Sequence, residues 1–192
     1  GPTITDGFYY DFEFKKPISP EDLDSIEKEM KKIISSNSVI TKQINTKKEA
    51  IEIFNKEGEL YKESIINDSE QEDGFQLYYQ DDSKFVDLCR GPHIPSLKHI
   101  GAFKLLKIAG AYWKGNSDNK MLTRIYGTAW KNEKDLSAYL DRIEEAEKRD
   151  HRKLGKEMNL FHFQEEAPGM VFWHPNGWTI YRLLESYMRS NL

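Results

Sequence analysis

Residues 84–93 read KFVDLCRGPH, and the interpretation of the whole chain starts from them. The run up to position 89 predicts a β-strand, and the Gly-Pro pair at 91–92 ends it in a rigid turn. The strand therefore delivers Asp87, the single cysteine Cys89 and His93 onto one short loop. A polar loop carried by a strand is a common way to mount a functional site on a rigid scaffold.

The spacing of Cys89 and His93 fits three kinds of site: a reactive pair, two metal ligands, or a structural cysteine beside a loop histidine. A closed zinc site requires about four protein ligands and a catalytic one about three. The other four histidines have no partner at metal-site spacing, so we expect no metal in this chain. The spacing alone leaves the reactive and structural alternatives open.

The composition narrows the class of protein. Charged residues make up 31% of the 192 residues and hydrophobic ones 38%, which is enough for a core under a charged surface. The net charge of −4 excludes general attraction of the whole chain to nucleic acid. One cysteine fits a reducing cytoplasm, and no apolar run approaches the roughly 18 residues that span a bilayer. Without an initiator Met, and ending inside a helical pattern, the chain is expected to be an internal fragment.

The pattern of residues 1–130 predicts an α+β fold with helices packed on a mostly antiparallel sheet. Ser19 and Thr46 are predicted to cap two helices, the second ending at Gly58. Strands are predicted at 7–14 and 38–44, and in two hairpins whose turns lie at 81–83 and 115–119.

Two further segments follow this domain. Residues 131–158 are dense in charge with a narrow apolar stripe, which predicts one exposed linker helix from 133 to 158. Residues 159–192 turn aromatic and end in another helix, with Trp178, Tyr181, Leu184 and Met188 on its apolar face.

Several motifs occur in one order: DGFYYD at 6–11, the loop at 84–93, AGAYWKG at 109–115, and EEAPGM at 165–170. Together they resemble bacterial-type threonyl-tRNA synthetase. The similar region is the editing (second additional) domain at 1–130, the linker helix, and the start of the class II catalytic core at 159–192, including the motif 1 helix. The ATP-binding motifs 2 and 3 and the family's catalytic zinc ligands are missing here. The resemblance therefore implies no cofactor in this chain, with ATP, Mg and Zn in the parent enzyme, which is expected to be a homodimer.

The resemblance also implies an editing reaction. Serine lacks one methyl group of threonine, and one methyl group gives a synthetic site only about 1–3 kcal/mol of discrimination. A second site that hydrolyses seryl-tRNA(Thr) corrects the error. Hydrolysis needs a positioned water, a proton acceptor and an oxyanion donor.

Residues matching the family's editing pocket can be given roles from their side-chain chemistry. Lys62 is suited to donate to the oxyanion or the terminal ribose, and His93 to orient water or accept a proton. Asp87 is suited to hold the substrate ammonium, while Cys89 and Tyr10 shape the pocket. Gly1 and Arg90 complete the expected substrate-binding set.

Three alternatives remain beside this interpretation. The family's His-x-x-x-His segment is absent from this sequence, which favours a silent tRNA-binding or assembly fragment. A related alanyl-editing domain is disfavoured by the WHPNGW motif at 173–178. Cys89 as a covalent nucleophile is a further possibility, although attack by water suffices for an activated ester.

Basic residues concentrate between positions 98 and 131, with only Asp118 opposing them in that stretch. Aromatic residues are interleaved among them. This pattern fits a face that meets tRNA phosphates and the acceptor end, and it equally fits a solvated sheet face with core aromatics. The basic residues are Lys98, Lys104, Lys107, Lys114, Lys120, Arg124 and Lys131.

Overall fold

The structure is a computed structural model that describes residues 2–81 and 85–192. The chain divides into two compact units, the first ending at Leu136 and the second beginning at Ser137. Gly1 and residues 82–84 lie outside the described part, so the predicted turn at 81–83 is not assessed. Among the described residues, no helix is long and apolar enough to cross a membrane.

The first unit contains a four-stranded antiparallel sheet in the order β1-β2-β7-β6. Its strands are β1 (Thr3–Ile4), β2 (Gly7–Phe12), β6 (Ala102–Tyr112) and β7 (Met121–Trp130). Helix α1 (Asp22–Ser35) packs on this sheet, where Leu23 meets Leu105 and Ile125 in a buried cluster. The predicted hairpin across positions 115–119 is confirmed, since β6 and β7 pair in antiparallel register.

A second antiparallel sheet, in the order β3-β4-β5, carries the loop of Cys89 and His93. Its core is formed with two helices, and the fully buried members include Phe54, Ile66 and Leu77. Two antiparallel sheets with packed helices confirm the α+β class. The elements are β3 (Ile40–Asn45), α2 (Lys47–Glu57), α3 (Leu60–Asn67), β4 (Phe75–Gln80) and β5 (Val86–Leu88).

The cap of α2 is confirmed, whereas that of α1 differs from the prediction. Thr46 and Glu49 form a reciprocal capping box, and Gly58 ends α2 in the left-handed conformation at φ 73°. At α1, by contrast, Ser19 does not cap with its oxygen. Its N–H and hydroxyl both donate to the Asp22 carboxylate, and the helix begins only at Asp22.

Helix α3 was not predicted, because its eight residues are too few to establish a helical period. It follows the left-handed turn at Gly58, and no side chain of the described residues caps it. Its buried residue Ile66 packs into the core of the second sheet. Tertiary packing, rather than a local signal, therefore holds this helix.

The prediction of one continuous helix from 133 to 158 is wrong, because two helices occupy this range. Helix α4 (Glu133–Lys148) ends before Asp150, whose side chain accepts from the Arg152 N–H at 2.8 Å and caps α5 (His151–Glu157). A short antiparallel pair, β8 (Phe161–His162) and β9 (Phe172–Trp173), precedes α6 (Pro175–Asn191). The division at Leu136 falls inside α4, and the domain boundaries at 130 and 158 stay predictions.

Candidate active site

The second sheet supports the loop that follows β5. The N–H of Cys89 donates to the backbone oxygen of Gln76 on β4 at 3.2 Å. Tyr78 lies opposite Asp87 in the antiparallel register, so both side chains lie on the same face. Gly91 has φ 64°, and a β-carbon there would lie 1.9 Å from the Tyr78 hydroxyl. Only glycine fits at this position, because both the conformation and the space exclude a side chain.

Three predicted residues from different elements meet at one carboxylate oxygen, and we call Tyr10, Lys62 and Asp87 the Asp87 cluster. Oδ1 of Asp87 accepts from the Tyr10 hydroxyl at 3.1 Å and lies 3.3 Å from Nζ of Lys62. The N–H of Leu88 also donates to it, at 3.0 Å. The cluster joins β2, α3 and β5, which are far apart in sequence.

The Asp87 cluster is sheltered from water. The side chains of Lys62 and Asp87 are only 12% and 16% exposed. Burial, followed by the negative charge of Asp87, raises the pKa of Tyr10 well above its usual value. The Tyr10 hydroxyl therefore keeps its proton at neutral pH and remains a donor to Asp87.

The ammonium group of Lys62 lies in a cage that includes residues not predicted from the sequence. Nζ lies 3.3 Å from the backbone oxygen of Val86 and 3.7 Å from the Glu59 carboxylate. It also lies 5.4 Å from the ring centre of Phe54 and 5.8 Å from that of Phe85, within cation–π range. In this structure these contacts hold the lysine charge beside Asp87.

His93 and Cys89 lie on the supported loop, but no hydrogen bond joins them within the described residues. The imidazole of His93 stacks on the ring of Tyr78, with centroids 4.0 Å apart and an interplanar angle of 29°. Partial burial lowers the pKa of His93, and the charge of Asp87 only partly opposes this. Sγ of Cys89 accepts from the N–H of Gly91 at 3.4 Å. Because its pKa is lowered, the His93 imidazole is neutral at pH 7 and can accept a proton.

Of the two remaining predicted site residues, the structure describes only Arg90, which does not join the Asp87 cluster. Arg90 is exposed, and no hydrogen bond or ion pair of its side chain occurs in the described part of the chain. Gly1 lies outside the described residues. Their assignment to substrate binding stays a prediction.

A cavity of about 670 Å³ opens beside Tyr10 and Lys62. Its volume is in the range typical of small-molecule sites. The polar part of its lining includes Glu59 and Tyr61 in addition to the two cluster residues. The apolar part comprises Phe8, Phe12, Ile26, Met30, Leu60, Phe85, Leu105 and Ile125.

Four of the seven basic residues between 98 and 131 are paired with carboxylates from other elements. Arg124 binds Asp11 through two hydrogen bonds of 2.7 and 2.8 Å, and Lys104 lies 3.0 Å from Glu27. Lys114 pairs with Asp68, and Lys120 with Glu13. The stretch from 98 to 131 contains almost no acidic residue, and the carboxylates that neutralise these four cations come from distant parts of the chain. This neutralisation favours the solvated sheet face over the tRNA-phosphate face for those four residues.

Within 2–81 and 85–192, no group of three or more His, Cys, Asp or Glu side chains is arranged to hold a metal ion. The expectation of no metal stays a prediction.

The chain is similar to a known family of tRNA synthetase domains and to several bacterial ligases. The family model described as "Threonyl and Alanyl tRNA synthetase second additional domain" matches residues 76–126, a range that includes the loop of Asp87, Cys89 and His93. The threonine–tRNA ligase of Hahella chejuensis is 58% identical over 192 residues, which are 100% of this chain and 30% of that protein. The resemblance to bacterial-type threonyl-tRNA synthetase is confirmed. The ligases of Prochlorococcus marinus and Marinobacter nauticus are 54% and 55% identical, over 100% and 99% of this chain and 30% and 29% of their own lengths.

The chain thus spans about 30% of the length of the curated relatives that it matches. The matched family description covers both threonyl and alanyl enzymes. The identity to threonine–tRNA ligases, however, extends through 159–192, which disfavours the alanyl-editing alternative. The chain corresponds to a part of these ligases that contains their editing-associated domain.

The sequence analysis missed four residues that shape this site: Phe54, Glu59, Tyr78 and Phe85. Phe54 and Tyr78 carry only the pattern of core residues, and Glu59 looks like a loop charge. The one local signal was the strand alternation, which places Tyr78 opposite Asp87 once the β4–β5 hairpin is accepted.

Proposed function

We propose that the first unit is the editing hydrolase module of a threonine–tRNA ligase. It cleaves the ester that joins serine to the tRNA that accepts threonine. The observation that supports this best is the convergence of Tyr10, Lys62 and Asp87 beside a cavity. The Cys89–His93 loop is held on the sheet that carries Asp87. A structural salt bridge alone would not require a cavity or a supported histidine loop.

The reaction that we propose is ester hydrolysis by water. The water oxygen attacks the carbonyl carbon, the carbon–oxygen bond to the ribose breaks, and the ribose oxygen takes a proton. His93 is suited to accept the proton of the attacking water, because its lowered pKa keeps the imidazole neutral at pH 7. Lys62 is suited to donate to the developing oxyanion. Neither residue needs a metal ion for these roles.

Asp87 is proposed to bind the α-ammonium group of the seryl ester. In this structure the ammonium of Lys62 lies against the same oxygen, at 3.3 Å. The substrate ammonium therefore replaces Lys62 at Asp87, and Lys62 turns toward the ester. The variant Asp87→Asn keeps the oxygen and loses the charge, so we expect KM for the seryl ester to rise about tenfold or more. An unchanged KM would contradict this role.

The family's editing pocket includes a His-x-x-x-His helix, and this sequence contains no such motif. The cavity beside Tyr10 and Lys62 therefore represents only part of the pocket that we propose. The experiments below accordingly use a ligase of full family length that carries this chain.

Deacylation of mischarged seryl-tRNA(Thr) is the direct test. We expect Lys62→Ala and His93→Ala each to slow it by roughly tenfold to thousandfold, the range for losing a positioned donor or acid–base group. Threonyl-tRNA should be largely spared by the unmutated protein. Cys89→Ser should cost little if the cysteine only shapes the pocket. Near-complete loss together with a trapped thioester would identify Cys89 as a nucleophile.

Matched controls come from the same chain. Lys48→Ala and His99→Ala remove the same chemical groups at exposed positions outside the site, and deacylation should be unchanged. If Lys62→Ala and His93→Ala were also unchanged, the editing assignment would fail. The silent tRNA-binding fragment would then be the better hypothesis.

The properties of the whole ligase are proposals that rest on its relatives. We propose ATP-dependent attachment of threonine to tRNA(Thr) in a cytoplasmic homodimer, with ATP, Mg and Zn bound outside this chain. The free Cys89 supports a reducing compartment. The exposed apolar residues Trp178, Leu184 and Met188 on α6 support a helix that meets another protein surface. Elemental analysis of the dialysed chain should find no stoichiometric zinc.

A further inference from the structure

Tyr78, on strand β4, lies under the loop that carries Cys89 and His93. It is a core residue with only 8% of its surface exposed. Its ring stacks on the imidazole of His93 at 4.0 Å, and its hydroxyl lies against Gly91. One side chain therefore contacts two residues of the loop from Cys89 to His93.

The position of Tyr78 is fixed from its own side. Its hydroxyl donates to Oε1 of Gln76 at 3.2 Å. The backbone oxygen of Gln76 accepts from Cys89 N–H, so the same two β4 residues hold both ends of the loop. The antiparallel register also places Tyr78 opposite Asp87. The ring is thus a rigid platform, not a mobile surface aromatic.

His93 depends on this platform because the described structure gives it no hydrogen bond. His93 is an exposed residue overall, although the Tyr78 ring covers one face of its imidazole. Within the described residues this stack is its one aromatic contact. An exposed histidine without such a contact samples several rotamers on a fast timescale. A proton acceptor must instead be held within hydrogen-bond reach of one water position.

We propose that Tyr78 is a positioning residue for editing: its ring holds the His93 imidazole in the plane that proton transfer requires. The inference rests on the proposed hydrolase function. Tyr78 touches neither the reacting ester nor the water, and acts only through His93. The aromatic face is the required part, and the hydroxyl is secondary.

The test measures deacylation of seryl-tRNA(Thr) by a ligase of full family length that carries this chain. Tyr78→Met removes the aromatic face while filling most of the space, and Tyr78→Phe keeps the face without the hydroxyl. We expect kcat to fall about tenfold or more in Tyr78→Met, with KM changed less than about twofold, because misplacement affects the chemical step. Tyr78→Phe should stay within about threefold of the unmutated protein.

A mutant cycle separates positioning from general damage. In a His93→Ala protein, Tyr78→Met should slow deacylation no further, because its effect passes through the missing imidazole. An equal additional loss in that background would show a merely structural role and would overturn the inference. Unchanged kcat in Tyr78→Met would overturn it as well.

A second measurement keeps the test decisive if Tyr78→Met does not fold, which thermal unfolding would reveal. The ring proton resonances of His93 should be shifted upfield by the stacked ring in the unmutated protein and in Tyr78→Phe. Unshifted resonances would contradict the stack.

If the unmutated protein does not deacylate seryl-tRNA at all, the proposed function fails. If it does, and His93→Ala slows it while Tyr78→Met does not, only the present inference fails.

Discussion

The Asp87 cluster and the β6–β7 hairpin both contain lysine–carboxylate pairs, but in different surroundings. The side chains of Lys62 and Asp87 are 12% and 16% exposed, whereas those of Lys120 and Glu13 are 60% and 42% exposed. Water and salt reduce an exposed pair to about 0–1 kcal/mol, while a buried charge that loses its partner costs several. The same kind of ion pair therefore constrains the structure where it is buried. Where it is exposed, it contributes little to stability and its charges remain hydrated.

Removing the carboxylate of the buried pair should have the largest effect on stability. In Asp87→Ala, the Lys62 ammonium and the Tyr10 hydroxyl lose their shared acceptor. We expect the free energy of unfolding to fall by about 3 kcal/mol or more, measured by urea denaturation. Glu13→Ala, at the exposed pair, is the matched control and should cost less than about 1 kcal/mol. Equal losses would remove the distinction between the two regions.

Glu27 on α1 is an intermediate case, because a buried carboxylate is joined to a partly exposed lysine. Its Oε1 accepts from the N–H of Leu105 at 2.8 Å, beside an irregularity in the register of β6. Glu27→Ala leaves that N–H buried without a partner, so we expect a loss of about 1–3 kcal/mol. Glu29 is an exposed residue of the same helix, and Glu29→Ala should change stability by less than about 0.5 kcal/mol. A loss below that of the control would show that water replaces the carboxylate.

The pH dependence of stability sharpens the comparison at His93. Burial lowers its folded-state pKa below the unfolded value of about 6.5. The native state therefore binds this proton less readily, and the related stability is present above pH 6.5 and is lost as pH falls through the folded pKa. We expect His93→Gln to lose less melting temperature between pH 7.5 and pH 5 than the unmutated protein. His99→Gln should behave as the unmutated protein does, and identical curves for all three would contradict the shift.

The smallest effects are expected at the hairpin. Lys114→Ala and Lys120→Ala each remove one exposed pair, so stability should fall by less than about 1 kcal/mol and depend on salt. Because Asp68 and Glu13 already neutralise these two lysines, the affinity of each variant for tRNA should change less than twofold. Lys107→Ala is the comparison, since Lys107 lies over Tyr126 and has no ion pair in the described residues. A large loss of tRNA binding in Lys120→Ala would restore this hairpin as a phosphate-binding face.

Local patterns predicted those elements whose signals are complete within a few residues. The capping box of Thr46 and Glu49 marks the start of α2, and the left-handed Gly58 marks its end. Both signals lie within a few residues of the helix ends. Strand-like runs on either side of short polar turns predicted both hairpins, and the antiparallel pairing of β4 with β5 and of β6 with β7 agrees with them. The interruption of the linker helix at Asp150 was missed, although aspartate is a strong cap, since charge density was read as continuous helix.

By itself the sequence determined the α+β class, the strand and loop that carry Asp87, Cys89 and His93, and the family resemblance, since these depend on short-range periodicity and on motifs in order. Only the tertiary structure decided that α3 exists, that Tyr10 and Lys62 share one oxygen of Asp87, and that Tyr78 supports His93. It also decided which basic residues are neutralised, because their carboxylate partners come from distant elements. Burial and pairing across long sequence separations are set by how the sheets and helices pack, and a local pattern carries no record of them.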